Sequence, residues 1–371
     1  MKTLLIFNTE DLIKKINTKE EFFEIKENKN LLEIEKKYKN HKGNNFSTNL
    51  PKQIKISPEA VGLIVGEGFI SKRHFVFANC NKKAVDIILD FLRQFNLQLK
   101  FYLEISVKNK PKEFVRECIN FWERHLKFKI NKIRLRKEFY NSGNPGTIHI
   151  SLYNALLAKI LNQIIKISKK KIEKNKVLAI GYLKGIIAAE GNINVKKSTG
   201  CVYMVRISAS KPEEREHYKR CLEKAGIRIF CEDMPTVSPD EGIKRGWKTT
   251  KGRAGAVIIS KWENFVKILE SGLLELYKEK QEKFNKYFLN NKFTNQFLDF
   301  KYFIGKEFTM KEAQNHFKFA GRHLDRILSL YKKGYISRRR LNKHKLIYRL
   351  TDNYLALYSK LKLILNSPIS Q

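Results

Sequence analysis

Two glutamates stand in matching settings. Glu67 and Glu190 each occupy the eighth place of a mainly apolar stretch, AVGLIVGEG (60–68) and LKGIIAAEG (183–191), with Gly at the third place and Gly directly after the acid. Small residues at helical spacing, Gly62 with Gly66 and Gly185 with Ala189, would let two such helices approach closely. A glycine just past the acid suits a chain that leaves a helix and turns into a strand. Two carboxylates brought side by side need a cation between them. Divalent metals held by carboxylates, with a phosphodiester clamped against them and water as nucleophile, are a standard way to cut nucleic acid. A single stretch of this kind reads equally well as a core helix whose glutamate caps against solvent. Two copies inside a repeat favour the chemical reading.

The repeat is visible in three pairings. AVGLIVGEGFI (60–70) lies over LKGIIAAEGNI (183–193) at an offset of 123, DFLRQFNLQLKF (90–101) over RCLEKAGIRIFC (220–231) at 130, and GNPGTIHISLYNALLAKIL (143–161) over GRAGAVIISKWENFVKILE (252–270) at 109. The third pair shares Gly at its first and fourth places, a β-prone run ending in Ile-Ser, an aromatic (Tyr153, Trp262) and a helix. The changing offsets make the second copy seven residues longer after its motif and the first 21 residues longer further on. That extra length includes PKEFVRECINFWERHL (111–126), whose helical periodicity predicts an inserted helix. Each copy is read as helix, two strands, helix, two strands, helix. The expected fold class is therefore α+β, with two tandem pseudo-symmetric αββαββα half-domains at 53–175 and 176–290, the single-chain equivalent of a two-fold dimer. Residues 1–52 read as a polar, helix-prone extension ending in a linker, HKGNNFSTNLPK, and LNNKFTNQF predicts a second break before a block at 300–371.

AVGLIVGEG and LKGIIAAEG resemble the two motifs of single-chain LAGLIDADG homing endonucleases. The resemblance covers about residues 53–290 and departs from the family's name motif at Val65 and Ala188, which replace its first Asp. It implies that Glu67 and Glu190 are the metal-binding acids, that Gly66 and Ala189 could lend backbone carbonyls, that the metal is Mg²⁺ or Mn²⁺, and that two saddle-shaped sheets lie in the major groove of double-stranded DNA. Family members often use a lysine near the end of the sheet to polarise water or stabilise charge. Lys261 is the candidate here; the matching residue in the first copy is Leu152, and a solvent-exposed helix start is the plainer reading of Lys261.

A sheet with one face on a core and one on DNA alternates apolar and polar residues. KIRLRK offers Lys132, Arg134 and Arg136 against Ile133 and Leu135, and FYLEISVK offers Tyr102, Glu104, Ser106 and Lys108 against Phe101, Leu103, Ile105 and Val107. VRISAS offers Arg206, Ser208 and Ser210, and Arg228 follows in IRIF. Arginine and lysine can read guanine edges or hold phosphates, although a solvated sheet face shows the same alternation. The loop GIKRGWKTTKGR (242–253) reads as a phosphate-contacting segment. In the last block, FTMKEAQNHF, the turn FAGR, HLDRILSLYKK, and the strands YISRRRL and LIYRLT resemble a winged helix-turn-helix. Arg322, His323 and Arg326 would lie on its reading helix, and Arg338, Arg339, Arg340, Lys343, His344 and Lys345 in its wing.

Charge agrees with a nucleic-acid partner. The 371 residues carry 74 Lys and Arg against 37 Asp and Glu, a formal +37, and residues 301–371 hold sixteen bases and four acids. No apolar run approaches the ~20 residues of a membrane span, and MKTLLIFNTEDLIKK turns acidic too soon for a secretory signal, so a cytoplasmic, intracellular monomer is expected. The five cysteines form no C-x-x-C pair and are expected to be reduced. An intein origin is not expected, because the chain opens on Met and closes on NSPISQ. The leading expectation is a metal-dependent, site-specific double-strand DNA endonuclease. The rivals are a non-cleaving transcription regulator on the same scaffold and an RNA maturase that aids intron splicing, since basic sheets suit RNA as well.

Overall fold

A computed structural model of the protein describes residues 3–17, 21–28, 31–38, 46–107, 110–137, 145–209, 211–232, 255–317, 323–342 and 345–366. Helices and strands mix throughout, and the chain divides into two compact units. One comprises Met1–Asn192, Arg206–Ile259 and Lys267–Lys278; the other comprises Ile193–Val205, Ser260–Val266 and Glu279–Gln371.

The N-terminal segment departs from its helix-prone, linker-like expectation. After β1 (Leu5–Asn8) and α1 (Thr9–Ile16) it forms the antiparallel strands β2 (Glu21–Asn28), β3 (Leu31–Tyr38) and β4 (Phe46–Pro51), and β1 pairs with β5 (Gln53–Ile56). The physical reason is period two in LLEIE: Leu32 and Ile34 are buried opposite Leu50 and Thr48, while Glu33 and Glu35 point away. Lys and Glu, good helix formers in isolation, here make cross-strand pairs, Lys26–Glu35 at 3.4 Å and Lys37–Glu24. The segment read as a linker therefore contains a strand, FSTNLP. Gln94 seals β5 by accepting from Lys55 N and donating to Lys55 O, both at 2.9 Å.

The run that follows is α2 (Pro58–Glu67), β6 (Gly68–Ile70), β7 (His74–Asn79), α3 (Lys82–Arg93), β8 (Lys100–Ser106), α4 (Lys112–Leu126), β9 (Lys132–Arg136), β10 (Thr147–Tyr153) and α5 (Ala155–Ile172). Its sheet is ordered β6-β7-β10-β8-β9. The neighbours pair antiparallel except β8 and β9, which are parallel because the helix α4 carries the chain back across. One sheet face is core, with Phe75, Phe77, Leu103, Ile105, Ile148 and Ile150 buried. Helix α4 takes the place expected of the inserted helix; its Trp122 is buried, and the indole N–H donates to Pro145 O at 2.9 Å.

A second run follows: α6 (Lys176–Glu190), β11 (Gly191–Lys196), β12 (Cys201–Ser208), α7 (Pro212–Lys224), β13 (Phe230–Glu232), β14 (Ala256–Ile259) and α8 (Trp262–Glu270). Its sheet is ordered β11-β12-β14-β13. With α4 and β9 set aside, both sheets place their strands first, second, fourth, third.

The rest of the chain folds as α9 (Lys278–Leu289), α10 (Lys292–Asp299), a 3-10 turn (Phe300–Phe303), β15 (Glu307–Phe308), α11 (Met310–Phe317), α12 (His323–Lys332), β16 (Ile336–Asn342), β17 (Lys345–Leu350) and α13 (Asp352–Leu365). The expected break LNNKFTNQF shrinks to Asn290 and Asn291, because Asn291 accepts from Phe293 N at 2.9 Å and starts α10 at once. Thr309 and Glu312 form a reciprocal capping box at the start of α11. Helix α13 was not foreseen; its Tyr354 is buried, and the phenol donates to Phe297 O at 2.9 Å. The three strands run β15-β17-β16.

Candidate functional site

Among the described residues, helices α2 and α6 pack against each other more extensively than any other pair of elements. Their start signals are local: Ser57 caps α2 by accepting from Ala60 N, Pro58 fits the first turn, and Asn175 caps α6. The expected small residues make the contact possible. A side-chain carbon added to Gly62 would overlap the Tyr182 carbonyl and stand 2.9 Å from Ile186 N; one added to Gly185 would overlap the Glu59 carbonyl and stand 2.8 Å from Leu63 N. Gly181 extends the stripe, since the same addition would press to 2.6 Å on Pro58. Sequence reading had not included Gly181, because it precedes the repeated nine residues.

The contact runs to the ends of both helices. A carbon on Gly66 would overlap Ala189 Cβ and lie 3.5 Å from Glu190 Cγ, which sets Glu190 beside the residue that precedes Glu67. Glu67 is exposed and Glu190 half-buried. Each helix ends with the N–H of the next glycine donating back, Gly68 to Ile64 O and Gly191 to Ile187 O, so the carbonyls of Gly66 and Ala189 lie past the last helical acceptor. Both glycines are extended, with φ of −86° and −75°. They are needed for space: an added carbon would overlap the Ile64 or Ile187 carbonyl.

A helix C-terminus carries about half a negative charge and favours a base in its last turn. Neither α2 nor α6 has one there, and each ends on a glutamate. Two glutamates at the two helix ends, with the backbone carbonyls beside them, thus offer a set of oxygen donors. That donor set fits a hard divalent cation. Among the described residues no group of three or more His, Cys, Asp or Glu side chains is placed to hold a metal, so a metal here would draw on two side chains, backbone carbonyls and its other ligands.

Lys261 stands immediately before α8 with φ of +76°, a left-handed conformation unusual for a side-chain-bearing residue, and belongs to the second compact unit. Its repeat partner Leu152 is buried in β10.

The sheet faces divide the predicted nucleic-acid residues. On β8 the alternation is as read, with Phe101, Leu103 and Ile105 buried and Tyr102, Glu104 and Ser106 turned to the other face. On β9 it is not. Lys132, Arg134 and Arg136 do face the same side as Tyr102, Glu104 and Ser106, but Ile133 and Leu135, expected in the core, are 41% and 54% exposed, because β9 is the sheet's edge strand. Glu104 draws in two of the bases, Arg136 Nε at 2.8 Å and Arg134 at 3.9 Å. His149 shares this group, and burial holds its imidazole below the usual range. Arg206 lies on β12 between the buried Val205 and Ile207 and keeps a buried Nε with no hydrogen-bond partner among the described residues. Arg228 is exposed just ahead of β13. Lys108, Ser210 and the loop 242–253 lie outside the described residues.

In the last block His323 opens α12 and Arg326 is half-buried on it, while Arg322, Lys343 and His344 lie outside the described residues. Arg338, Arg339 and Arg340 are exposed on β16. Two of them have partners within the protein: Arg339 grips Glu307 through Nη2 at 2.8 Å and Nε at 3.2 Å, and Arg338 lies 4.3 Å from the Tyr331 ring centre. Lys345 is exposed at the start of β17.

A polar group centred on the buried His217, where α5, α6 and α7 meet, had no sequence signal, since its members are scattered. His217 Nδ1 is 2.6 Å from Glu173 Oε1, which Arg220 also reaches at 3.0 Å. A carboxylate only accepts, so Nδ1 carries the proton and Nε2 faces the Cys221 thiol at 3.8 Å. Burial holds the His217 imidazole below its usual range despite the carboxylate, and pushes the Cys221 thiol up to about 12. Such a thiol is not a nucleophile. Cys80, Cys118, Cys201 and Cys221 are free thiols.

No protein-family model and no curated protein matches the chain. Among solved structures it is similar to mesophilic variants of the homing endonuclease I-DmoI, at 12% identity and a TM-score of 0.33 over 59% of this chain and 94% of that one. I-DmoI in complex with DNA and Ca gives 13% and 0.33 over 58% and 86%. Full-length DUF199/WhiA from Thermatoga maritima gives 12% and 0.33 over 83% and 90%. At these TM-scores the likenesses carry no argument, and the site stands on its own geometry.

Proposed function

We propose that the protein is a divalent-metal-dependent, site-specific endonuclease of the homing type acting on double-stranded DNA. In this reading 53–175 and 176–290 are two LAGLIDADG-like half-domains that meet along α2 and α6, and 300–371 is a winged-helix module that adds DNA contacts. The observation that carries it is the placing of Glu67 and Glu190 at two juxtaposed helix ends that have no base in their last turns. The Glu67 and Glu190 carboxylates, aided by the carbonyls of Gly66 and Ala189, would hold Mg²⁺ or Mn²⁺. A divalent cation held there would supply Lewis-acid chemistry for phosphodiester hydrolysis by water. Lys261 would steady the charge that develops, and Lys132, Arg134, Arg136, Arg206 and Arg228 would position the backbone from the sheet faces. Arg326 and Arg340, with Arg322, His323 and Lys343, would serve the winged module. The protein would work inside the cell, as a monomer.

The test is cleavage of a plasmid that carries the flanks of the gene's own insertion site, with and without Mg²⁺. Wild type should linearise it only with metal. Glu67→Gln and Glu190→Gln should each bind with unchanged affinity and lose about a hundred- to a thousandfold in rate, the scale of an essential charge-stabilising group. Tight binding by wild type in Mg²⁺ without nicking would sink the nuclease reading in favour of a DNA-binding regulator.

A further inference from the structure

The open face of the first sheet is not uniformly polar. By strand register, Phe69 on β6, His74 on β7 and Tyr153 on β10 share the face that carries Tyr102, Lys100 and the bases of β9. Phe69 and Tyr153 are 59% and 62% exposed, far beyond what a satisfied core would leave. They flank His74: the Tyr153 and His74 rings are stacked at 5.3 Å and 20°, and Phe69 leans on His74 at 5.7 Å. The middle ring is fixed in advance, because Ser71 Oγ lies 2.6 Å from His74 Nδ1 and accepts from His74 N. A cation overlooks the cluster, with Lys100 Nζ 5.5 Å from the Tyr153 ring centre.

Exposed, pre-ordered rings beside lysine suit a flat, apolar π face attached to a phosphate chain. A protein partner would need a wider apolar patch and would have to strip water from Lys100, Lys132 and Arg134 on the same face. A nucleobase needs neither, because its backbone brings the negative charge. A base inside an intact duplex has both faces covered by its neighbours, so only an unpaired or unstacked base can use such rings. We infer that Phe69, His74 and Tyr153 form a stacking platform for an unpaired nucleobase, and that Lys100 holds its phosphate. Phe69 follows Glu67 by two residues, so the base received here would come from DNA opened beside the proposed cutting centre. The inference rests on the DNA reading above but not on cleavage.

The test uses the full chain and three labelled 30-base-pair duplexes: fully paired, with a central three-base mismatch, and with 2-aminopurine inside that mismatch. Wild type should bind the mismatched duplex about tenfold more tightly than the paired one, the scale of stacking one base on an aromatic ring, and should quench the 2-aminopurine emission. Phe69→Ala with Tyr153→Ala should lose both the preference and the quenching while binding the paired duplex within about threefold of wild type. Tyr153→Trp should keep both. Circular dichroism of each variant confirms folding, which the exposure of both side chains favours. Equal binding of paired and mismatched duplexes by wild type, or a preference that survives the double substitution, would overturn the platform. A preference that holds in a protein that never nicks DNA would leave the platform standing and remove the nuclease.

Discussion

Glu67 and Glu190 each sit where a helix's own dipole opposes a negative charge, and Glu190 lies beside the residue that precedes Glu67. An acid kept in such a place costs stability, about 0.3–1 kcal/mol at an exposed helix end. Glu67→Gln and Glu190→Gln should therefore raise the urea midpoint while slowing cleavage; a fall in the midpoint would mean that the acids serve the fold. Both residues were legible in the sequence because the eighth-place acid recurs with its glycines. Lys261 enters the site through resemblance alone, and its left-handed backbone had no signal in the sequence, since no turn residue stands there. Tyr153 and Trp262 show why position in a repeat does not fix environment. They match in the alignment, yet Tyr153 is open while Trp262 is buried among Phe288, Phe293 and Phe297, with its indole N–H on Thr294 Oγ1 at 2.9 Å. The rings that cover Trp262 come from α9 and α10, beyond the repeat.

Among the elements, the helix pair and the succession of helices and strands were readable from glycine spacing and period-two runs, whereas the order of strands within each sheet was not. The β meander at the N-terminus was not, because Lys, Glu and Asn hide its short alternation. Nor was the exposure of β9, since an edge strand and a half-buried strand share one pattern. The seam where α5, α6 and α7 meet holds the neutral His217, faced by Lys169 on α5 and Glu173 just past its end, Tyr182 from α6, and Tyr218, Arg220 and Cys221 from α7. Because the folded state holds this imidazole below the ordinary value of 6.5, the unfolded chain binds the proton more readily. The contribution is thus fully present above pH 6.5 and is lost as pH falls from there through the folded value. The Glu173 carboxyl acts lower. Partial burial pushes it up, but hydrogen bonds from Arg220 and His217 outweigh that and hold it below 4.5, so its contribution is lost only under more acid conditions. Urea midpoints measured from pH 7.5 to 5.5 should fall more steeply for wild type than for His217→Asn. Parallel slopes would remove His217 from the account.

Across the whole molecule the formal +37 must be met by a polyanion or by salt. Duplex affinity should fall linearly with the logarithm of salt concentration, by about 0.9 per phosphate neutralised. The wing offers an internal control. Arg339 is already held by Glu307, whereas Arg340 is exposed on the same strand. Arg340→Ala should reduce the salt slope by about one and Arg339→Ala by much less; equal losses would mean that the Glu307 pair opens on DNA. No helix among the described residues is long and apolar enough to cross a membrane.

If Glu67 and Glu190 hold one divalent cation between two helix ends, iron-directed cleavage of the protein itself will show it without any DNA substrate. Fe²⁺ with ascorbate and peroxide cuts a polypeptide where the metal sits. The full chain should be cut at two places, close to residues 67 and 190, with both cuts suppressed by excess Mg²⁺ and both lost in either single Gln variant. Cuts elsewhere, or cuts at these places that persist in Glu67→Gln and Glu190→Gln, would contradict it.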